Sequence, residues 1–132
     1  MASGRKKKSG DQFVNNVDMN QICNNFIEFY YKNWMTNVRG LVQSPIWKPY
    51  TKVNVDGTSL LPQQTVQYLT NLQGSKFELI SKQFVPDGSR RLDIMIKGKI
   101  TKNSITKFII QSFALIEIKG QFYLKSTQIY FI

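Results

Sequence analysis

One predicted strand, between turns at residues 102–104 and 119–120, is apolar on both of its faces. Alternation of side chains along this strand sets Ile109, Phe113 and Leu115 against Phe108, Ile110, Ala114, Ile116 and Ile118. Helices that pack on an antiparallel meander cover only one of its faces. The other apolar face therefore needs a second protein, or a sheet that curls tightly enough to shield both sides.

This strand is the third of four that the second half of the chain predicts. From Ser75 onward the apolar period is two, and turn residues at 86–88, 102–104 and 119–120 separate the strands. The second strand has one polar face, formed by Arg91, Asp93, Lys97 and Lys99. In the last strand the alternation sets Phe122, Leu124 and Tyr130 against Tyr123, Ile129 and Phe131.

Amphipathic helices are predicted before the meander. The first begins at Asp18, where Gln21 completes a capping box, and a short second helix is expected over 38–42. The apolar face of the first helix consists of Ile22, Cys23, Phe26, Ile27, Tyr30, Tyr31 and Trp34.

Between these helices and the meander we expect a hairpin and a further helix. Asp56-Gly57 accepts the positive φ angles of a tight hairpin turn after the strand that contains Val53. Pro62 suits a first helical residue, and Gly74 ends the helix. The order of elements predicts an α+β fold.

Composition supports one folded domain with a charged tail. The chain has 132 residues, of which 42% are hydrophobic, and its formal net charge is +10. We expect residues 1–12 to be a disordered basic tail and residues 13–132 to form the domain. The basic run of Arg5, Lys6, Lys7 and Lys8 is typical of a nuclear-localisation signal or of a phosphate contact.

Cys23 is the sole cysteine, so an intramolecular disulfide is impossible and core packing is its expected role. The basic run is followed by polar residues rather than an apolar stretch, which argues against a secretory signal. We expect a protein of the cytoplasm and nucleus, with no membrane partner.

The order and spacing of several short motifs resemble the nuclear transport factor 2 superfamily over residues 13–132. The first helix carries the aromatic-aliphatic pair Phe26-Ile27 before the tyrosine pair Tyr30-Tyr31. The remaining similar motifs are Asp56-Gly57, Gln111-Ser112-Phe113 with Leu115, Phe122-Tyr123 and Ile129-Tyr130.

The resemblance implies a cone, in which N-terminal helices pack in the concave face of a strongly bent, mostly antiparallel sheet. Most members pair through the exposed face of that sheet. Some carry the small GTPase Ran in its GDP form or bind phenylalanine-glycine repeats of nucleoporins. Others pair with the mRNA-export receptor, or serve stress-granule scaffolds by binding short phenylalanine motifs.

Two departures from the family pattern concern partners. The Ran carrier has acidic residues after its second long strand, where this chain has Thr101, Lys102, Asn103 and Ser104. Lysine there repels basic partner residues, so Ran-GDP is a doubtful partner. Gln128 and Phe131 replace a family aspartate and arginine, which predicts a different partner or pairing geometry.

The leading hypothesis is a non-catalytic adaptor in nucleocytoplasmic transport of protein or mRNA. It would act as a homodimer or heterodimer and bind phenylalanine-containing motifs of nucleoporins or an export receptor. The candidate contacts of the partner or dimer face are Phe108, Ile110, Phe113, Ile116 and Tyr130.

RNA binding is one alternative, as in a stress-granule or RNA-associated scaffold. Lys97, Lys99, Lys102 and Lys107 would form a basic edge, although Phe108 is the one aromatic residue nearby.

Catalysis is a second alternative, because the same cone houses dehydratases and isomerases that use a buried Asp or His as general base. The chain has no histidine, and Asp93, Glu78 and Glu117 have no evident acid-base partner in sequence. No metal or nucleotide motif is present, so no cofactor is expected.

Overall fold

A computed structural model describes the backbone of residues 7–88 and 90–132, and side chains from residue 19 onward within those ranges. The helices are α1 (Lys7–Thr36), α2 (Val38–Val42) and α3 (Pro62–Leu72). The strands are β1 (Trp47–Val55), β2 (Thr58–Leu60), β3 (Lys76–Pro86), β4 (Arg91–Lys102), β5 (Ile105–Ile118) and β6 (Gln121–Phe131). The predicted short helix, hairpin, third helix and four-stranded meander are all confirmed.

The described strands form one six-stranded sheet with the order β2-β1-β6-β5-β4-β3. Neighbouring strands are antiparallel except β1 and β6, which pair in parallel. The parallel pair joins the β1–β2 hairpin to the meander, a connection that period-two patterns do not specify. The α+β class and the mostly antiparallel sheet are confirmed.

Helices cover one face of the sheet, here called the inner face. Tyr30 and Trp34 of α1 are fully buried, and Phe113 of β5 packs edge-on against Tyr30 with ring centroids 4.9 Å apart. The inner face of β4 is buried at every second residue from Leu92 to Ile100, as predicted. Cys23 lies in this core.

Gln111 of β5 ties α1 to the sheet through a buried hydrogen-bond network. The hydroxyl of Tyr31 donates to Gln111 Oε1, and Gln111 Nε2 donates to Tyr30 Oη at 3.0 Å and to Thr127 Oγ1 at 2.9 Å. Thr127 in turn donates to the carbonyl of Ser112. The tyrosine pair and the glutamine motif noted in the sequence are therefore hydrogen-bonded to each other in the core.

Gly98 of β4 leaves the space that a second contact between α1 and the sheet requires. The rings of Tyr31 and Phe77 stack with centroids 3.7 Å apart. A Cβ atom at Gly98 would lie 2.4 Å from the ring of Phe77, which Tyr31 holds from its other side. Any side chain at this position would displace Phe77 from its stacked position against Tyr31.

The start of the first helix differs from the prediction. The helical backbone extends from Lys7, so Asp18 lies inside α1 and is not its N-cap. Local capping signals inside a longer helix are overridden when the preceding residues are also helical. Residues 1–6 lie outside the described part of the chain, and the predicted disorder of residues 1–12 stays a prediction.

The alternation predicted for the last strand is broken by a bulge. Ser126 pairs with Ala114 and Leu124 pairs with Leu115, which leaves Lys125 as an extra residue. Tyr130 consequently lies on the opposite face from Leu124, and the prediction that they share a face is wrong. The bulge turns Tyr123 and Tyr130 to the same side of the sheet.

Replacing Gln111 by leucine should strongly destabilise the protein. Gln111→Leu removes a partner from three buried hydroxyl groups, so we expect the free energy of unfolding to fall by about 2–4 kcal/mol. Urea denaturation measures this change. The control Gln121→Leu, at an exposed position, should change it by less than about 0.5 kcal/mol, and equal effects would contradict the assigned network.

Alkaline pH should also weaken the fold. Burial raises the pKa of both Tyr30 and Tyr31 above the ordinary tyrosine value. Above a pH of about 10 the unfolded chain loses these protons while the folded chain keeps them, so stability falls by roughly 1.4 kcal/mol per pH unit for each hydroxyl. Urea denaturation across this range should give a smaller slope for Tyr30→Phe than for the original chain, and an identical slope would contradict the assignment.

Candidate functional site

The face of the sheet opposite the helices, here called the outer face, exposes large apolar side chains. Met95, Phe108 and Tyr130 are 45%, 44% and 43% exposed. Ile110 and Ile116 are half-buried on the same face. Residues this exposed are not sheltered by the chain's own elements, which is what the sequence predicted for one side of the third meander strand.

Strand register brings these residues together. Ile110 pairs with Tyr130 on β6 and with Lys97 on β4, and Met95 pairs with Ser112 in the next row. Ala114 follows on β5, so β5 and β6 contribute apolar or uncharged side chains to the middle of the outer face, and Lys97 of β4 lies beside them. Four of the five predicted partner-face residues, Phe108, Ile110, Ile116 and Tyr130, thus lie on one surface.

Charged groups on the outer face are mostly paired and flank this centre. Arg91 Nε lies 3.0 Å from Asp93 Oδ1, and Lys99 Nζ lies 3.4 Å from Glu78 Oε1. Exposed ion pairs add little stability, but they neutralise each other's charge. Near one end of the face Lys48 lies over the ring of Tyr123, with Nζ 4.0 Å from the ring centroid.

Phe113 does not belong to the outer face, and its prediction as a partner contact is wrong. It is 1% exposed, because odd-numbered residues of β5 point toward the helices. Its ring packs against Phe26 with centroids 5.0 Å apart. Met95 was missed instead, although its place on the polar face of the second meander strand could have revealed it.

The four lysines of the predicted basic edge do not form one surface. Lys97 and Lys99 point outward from β4 beside the apolar centre, as their pairing with Ile110 and Phe108 shows. Lys102 and Lys107 line a cavity on the inner side. The strand alternation separates the two pairs, so the sequence cluster is not a continuous electrostatic patch.

That cavity lies at the end of the sheet where the β1–β2 hairpin, α3 and the β4–β5 hairpin meet. Its volume is about 440 Å³. Asp56 lies on its wall, and Asp56 Oδ1 accepts a hydrogen bond of 3.1 Å from the backbone N–H of Phe131. The aspartate of the hairpin's acid-glycine motif is therefore hydrogen-bonded to the backbone at the end of β6.

Tyr68 also lines the cavity. Burial, with a further contribution from the carboxylate of Asp56, raises its pKa to about 12. The Tyr68 hydroxyl therefore remains protonated at neutral pH and can donate a hydrogen bond. Sequence patterns gave no sign of this site, because its residues come from separate elements.

The possible nuclear-localisation run falls at the limit of the described residues. Arg5 and Lys6 lie outside them, and only the backbone of Lys7 and Lys8 is described, as part of α1. Within the described part of the chain, no helix combines the length and apolar character of a membrane span.

Solved structures with this arrangement of helices and strands identify the fold. Nuclear transport factor 2 from Cryptosporidium parvum matches with a TM-score of 0.74 and 19% identity, over 86% of this chain and 94% of that one. The yeast Ubp3-associated protein Bre5 matches with a TM-score of 0.70 and 17% identity, over 84% and 94%.

A third structure, an NTF2-like protein of unknown function from Pseudomonas aeruginosa, has a TM-score of 0.66 and 10% identity, over 86% of this chain and 98% of that one. The chain has the NTF2-like fold. No family model and no curated protein sequence matches it. The NTF2-like assignment therefore comes from the architecture, as the sequence resemblance predicted.

The two faces of the NTF2-like sheet should respond differently to truncation of phenylalanine. Phe113→Ala opens a cavity in the core and should lower the free energy of unfolding by about 3–5 kcal/mol. Phe108→Ala removes an exposed ring and should cost less than about 1 kcal/mol in the dilute protein. Urea denaturation of both variants compares them, and similar losses would contradict the assignment of faces.

Proposed function

We propose that this chain is a non-catalytic, protein-binding adaptor that acts as a dimer and serves transport between cytoplasm and nucleus. The partner we propose carries phenylalanine-containing motifs, such as those of nucleoporins or an export receptor. The exposed apolar centre of the outer face is the observation that carries this proposal.

A second copy of the chain is the occupant we propose for the outer face. The centre of that face has Met95, Ile110 and Tyr130, with Ser112 and Gln128 between them to exchange hydrogen bonds. An isologous dimer places the same surface on both subunits, so like charges at its centre would repel. The uncharged side chains of β5 and β6 and the ion pairs around them suit such an arrangement, with Lys97 beside them on β4.

The apolar side chains supply the driving force for pairing. Aromatic residues and methionine are enriched at protein interfaces, where they bury much area with little loss of conformational entropy. Phe108, Tyr130 and Met95 belong to these types, and the lysines nearest to them, Lys97 and Lys99, lie beside them on β4. This distribution is typical of an interface with an apolar core and a polar border.

Structural neighbours also support a protein-binding role. Bre5 is described as associated with Ubp3, and as the cofactor in a complex with that deubiquitinase. The Cryptosporidium parvum neighbour is named a nuclear transport factor. Both likenesses are distant, so the transport role of this chain and the identity of its partner are our proposals.

The proposal of a non-catalytic module is supported by the cavity. Asp56 is the one residue with a carboxylate among those that line it, and a backbone N–H already binds this group. The chain contains no histidine. An acid-base reaction in this cavity would lack a histidine or a second carboxylate as the partner of Asp56.

Sedimentation of the pure protein tests the proposed dimer. We expect a dimer at micromolar concentration, and the double variant Ile110→Asp/Tyr130→Asp should weaken self-association by about 100-fold or more, because it buries unpaired carboxylates in the interface. Circular dichroism checks that the variant is folded.

The matched control is Leu61→Asp, which adds a carboxylate at a side chain 62% exposed and remote from the outer face. This variant should remain dimeric. A monomeric original chain, or equal dissociation of both variants, would contradict the proposed interface.

Fluorescence anisotropy with a labelled phenylalanine-glycine repeat peptide tests the proposed partner class. Absence of binding would contradict the proposal that the partner carries phenylalanine-containing motifs.

A further inference from the structure

Strand β3 forms one edge of the six-stranded sheet. It pairs with β4 on one side, and no described strand lies on its other side. An edge strand directs the backbone N–H and C=O groups of alternate residues away from the sheet, where they can pair with another chain. Since β3 has 11 residues, its free edge is long enough to accept a further strand.

The free edge of β3 begins beside α1. The backbone N–H of Phe77 donates to Sδ of Met35 at 3.0 Å, so this N–H points away from β4 and toward the helix. Residues two apart in a strand direct their backbone groups to the same side, so those of Leu79 also face the free edge. Leu79 and the following bulge residue, Ile80, are 39% and 48% exposed. The free edge is therefore accessible at Leu79.

An apolar groove lies between this edge and α1. Its volume is about 440 Å³. Ile27, Tyr31 and Met35 line it from α1, and Phe77 and Leu79 line it from β3. The stacked rings of Tyr31 and Phe77 join the two elements. A strand that pairs with the free edge would therefore place alternate side chains in the groove.

Positive charge flanks the groove. Lys32 of α1 and Lys82 of β3 line it, against the single carboxylate of Glu28. Both lysines are exposed, and none of the ion pairs among the described residues involves them. A partner segment with carboxylates would complement this charge.

A second copy of β3 suits this edge less well. Two copies paired edge to edge about a two-fold axis would bring the lysines of both grooves together, and like charges oppose such pairing. The bulge at Ile80 and the inward-facing Lys82, which pairs with Ile96, are also features that hinder the pairing of two sheets through their edges. An acidic segment does not meet this repulsion, and it can pair with the residues before the bulge.

We propose that the free edge of β3 and the adjoining groove bind an extended, acidic segment of a partner protein by strand addition. Main-chain hydrogen bonds with β3 would hold the segment. An apolar side chain would occupy the groove, and carboxylates on the same face of the segment would lie near Lys32 and Lys82. The site is beside α1 on the inner side of the sheet, so the proposal depends neither on the proposed dimer nor on phenylalanine motifs.

NMR titration with a synthetic peptide tests this site. The probe is the capped sequence Thr-Glu-Thr-Leu-Thr-Glu-Thr, which places leucine and both glutamates on one face of a strand. It should shift the amide signals of Leu79 and Ile80, and it should bind about tenfold more tightly than the same peptide with glutamine for glutamate. Equal affinity, no binding, or shifts confined to another surface would overturn the proposal. Shifts of these amides on dilution of the protein alone would assign the edge to a second copy and also overturn it.

Methylation of the peptide backbone separates strand addition from simple attraction of charges. In an added strand the amides of alternate residues face β3, and those between them face solvent. Two probes, one N-methylated at leucine and the other at the threonine that follows it, should therefore differ in affinity by about tenfold or more. Equal affinity of these two probes would show that the backbone is not paired and would overturn the proposal.

Two pairs of lysine variants separate a specific site from general attraction to a basic protein. Lys32→Glu/Lys82→Glu should weaken binding of the glutamate probe by about tenfold or more. The control Lys52→Glu/Lys125→Glu makes the same change of charge at exposed positions of β1 and β6, and it should bind within about twofold of the original chain. Circular dichroism checks that both variants are folded. Equal weakening by both pairs would show nonspecific attraction and overturn the proposal.

Discussion

The buried amide of Gln111 connects the first helix to the sheet. It satisfies the hydroxyl groups of Tyr30 and Tyr31 from one side and of Thr127 from the other. A polar group inside an apolar core is tolerated only when its partners are placed accurately, so this network specifies one position for α1 on the sheet. Apolar contacts such as that between Phe26 and Phe113 add stability but permit more than one alignment.

Placing the helices on the inner face leaves two surfaces that the chain does not fill. The outer face keeps Phe108 and Tyr130 exposed because none of the helices among the described residues covers them. On the inner side, a cavity lined by Asp56 and Lys107 lies at the end of the sheet. The outer face is extended and largely apolar, whereas the cavity is local and is lined by both apolar and basic side chains.

The sequence predicted those parts of the fold that depend on local periodicity. The meander, the hairpin at Asp56-Gly57 and the exposed apolar side of β5 follow from alternation and turn chemistry. Prediction from the sequence failed where a single extra residue changes the strand register, and where residues from distant elements come together. The bulge at Lys125 moved Tyr130 to the outer face, and alternation itself should have excluded Phe113 from it. The separation of Lys97 from Lys102 also follows from alternation, whereas the cavity beside Tyr68 required the tertiary structure.

The central claim is that the outer face is covered by a second copy of the chain. An isotope-filtered NOE experiment on an equal mixture of labelled and unlabelled protein observes this contact directly, since it detects only protons of different subunits. The account predicts intermolecular NOEs from the methyl groups of Met95 and Ile110 to the ring protons of Tyr130. Intermolecular NOEs confined to another surface, or none from these methyl groups at concentrations where the protein is dimeric, would contradict it.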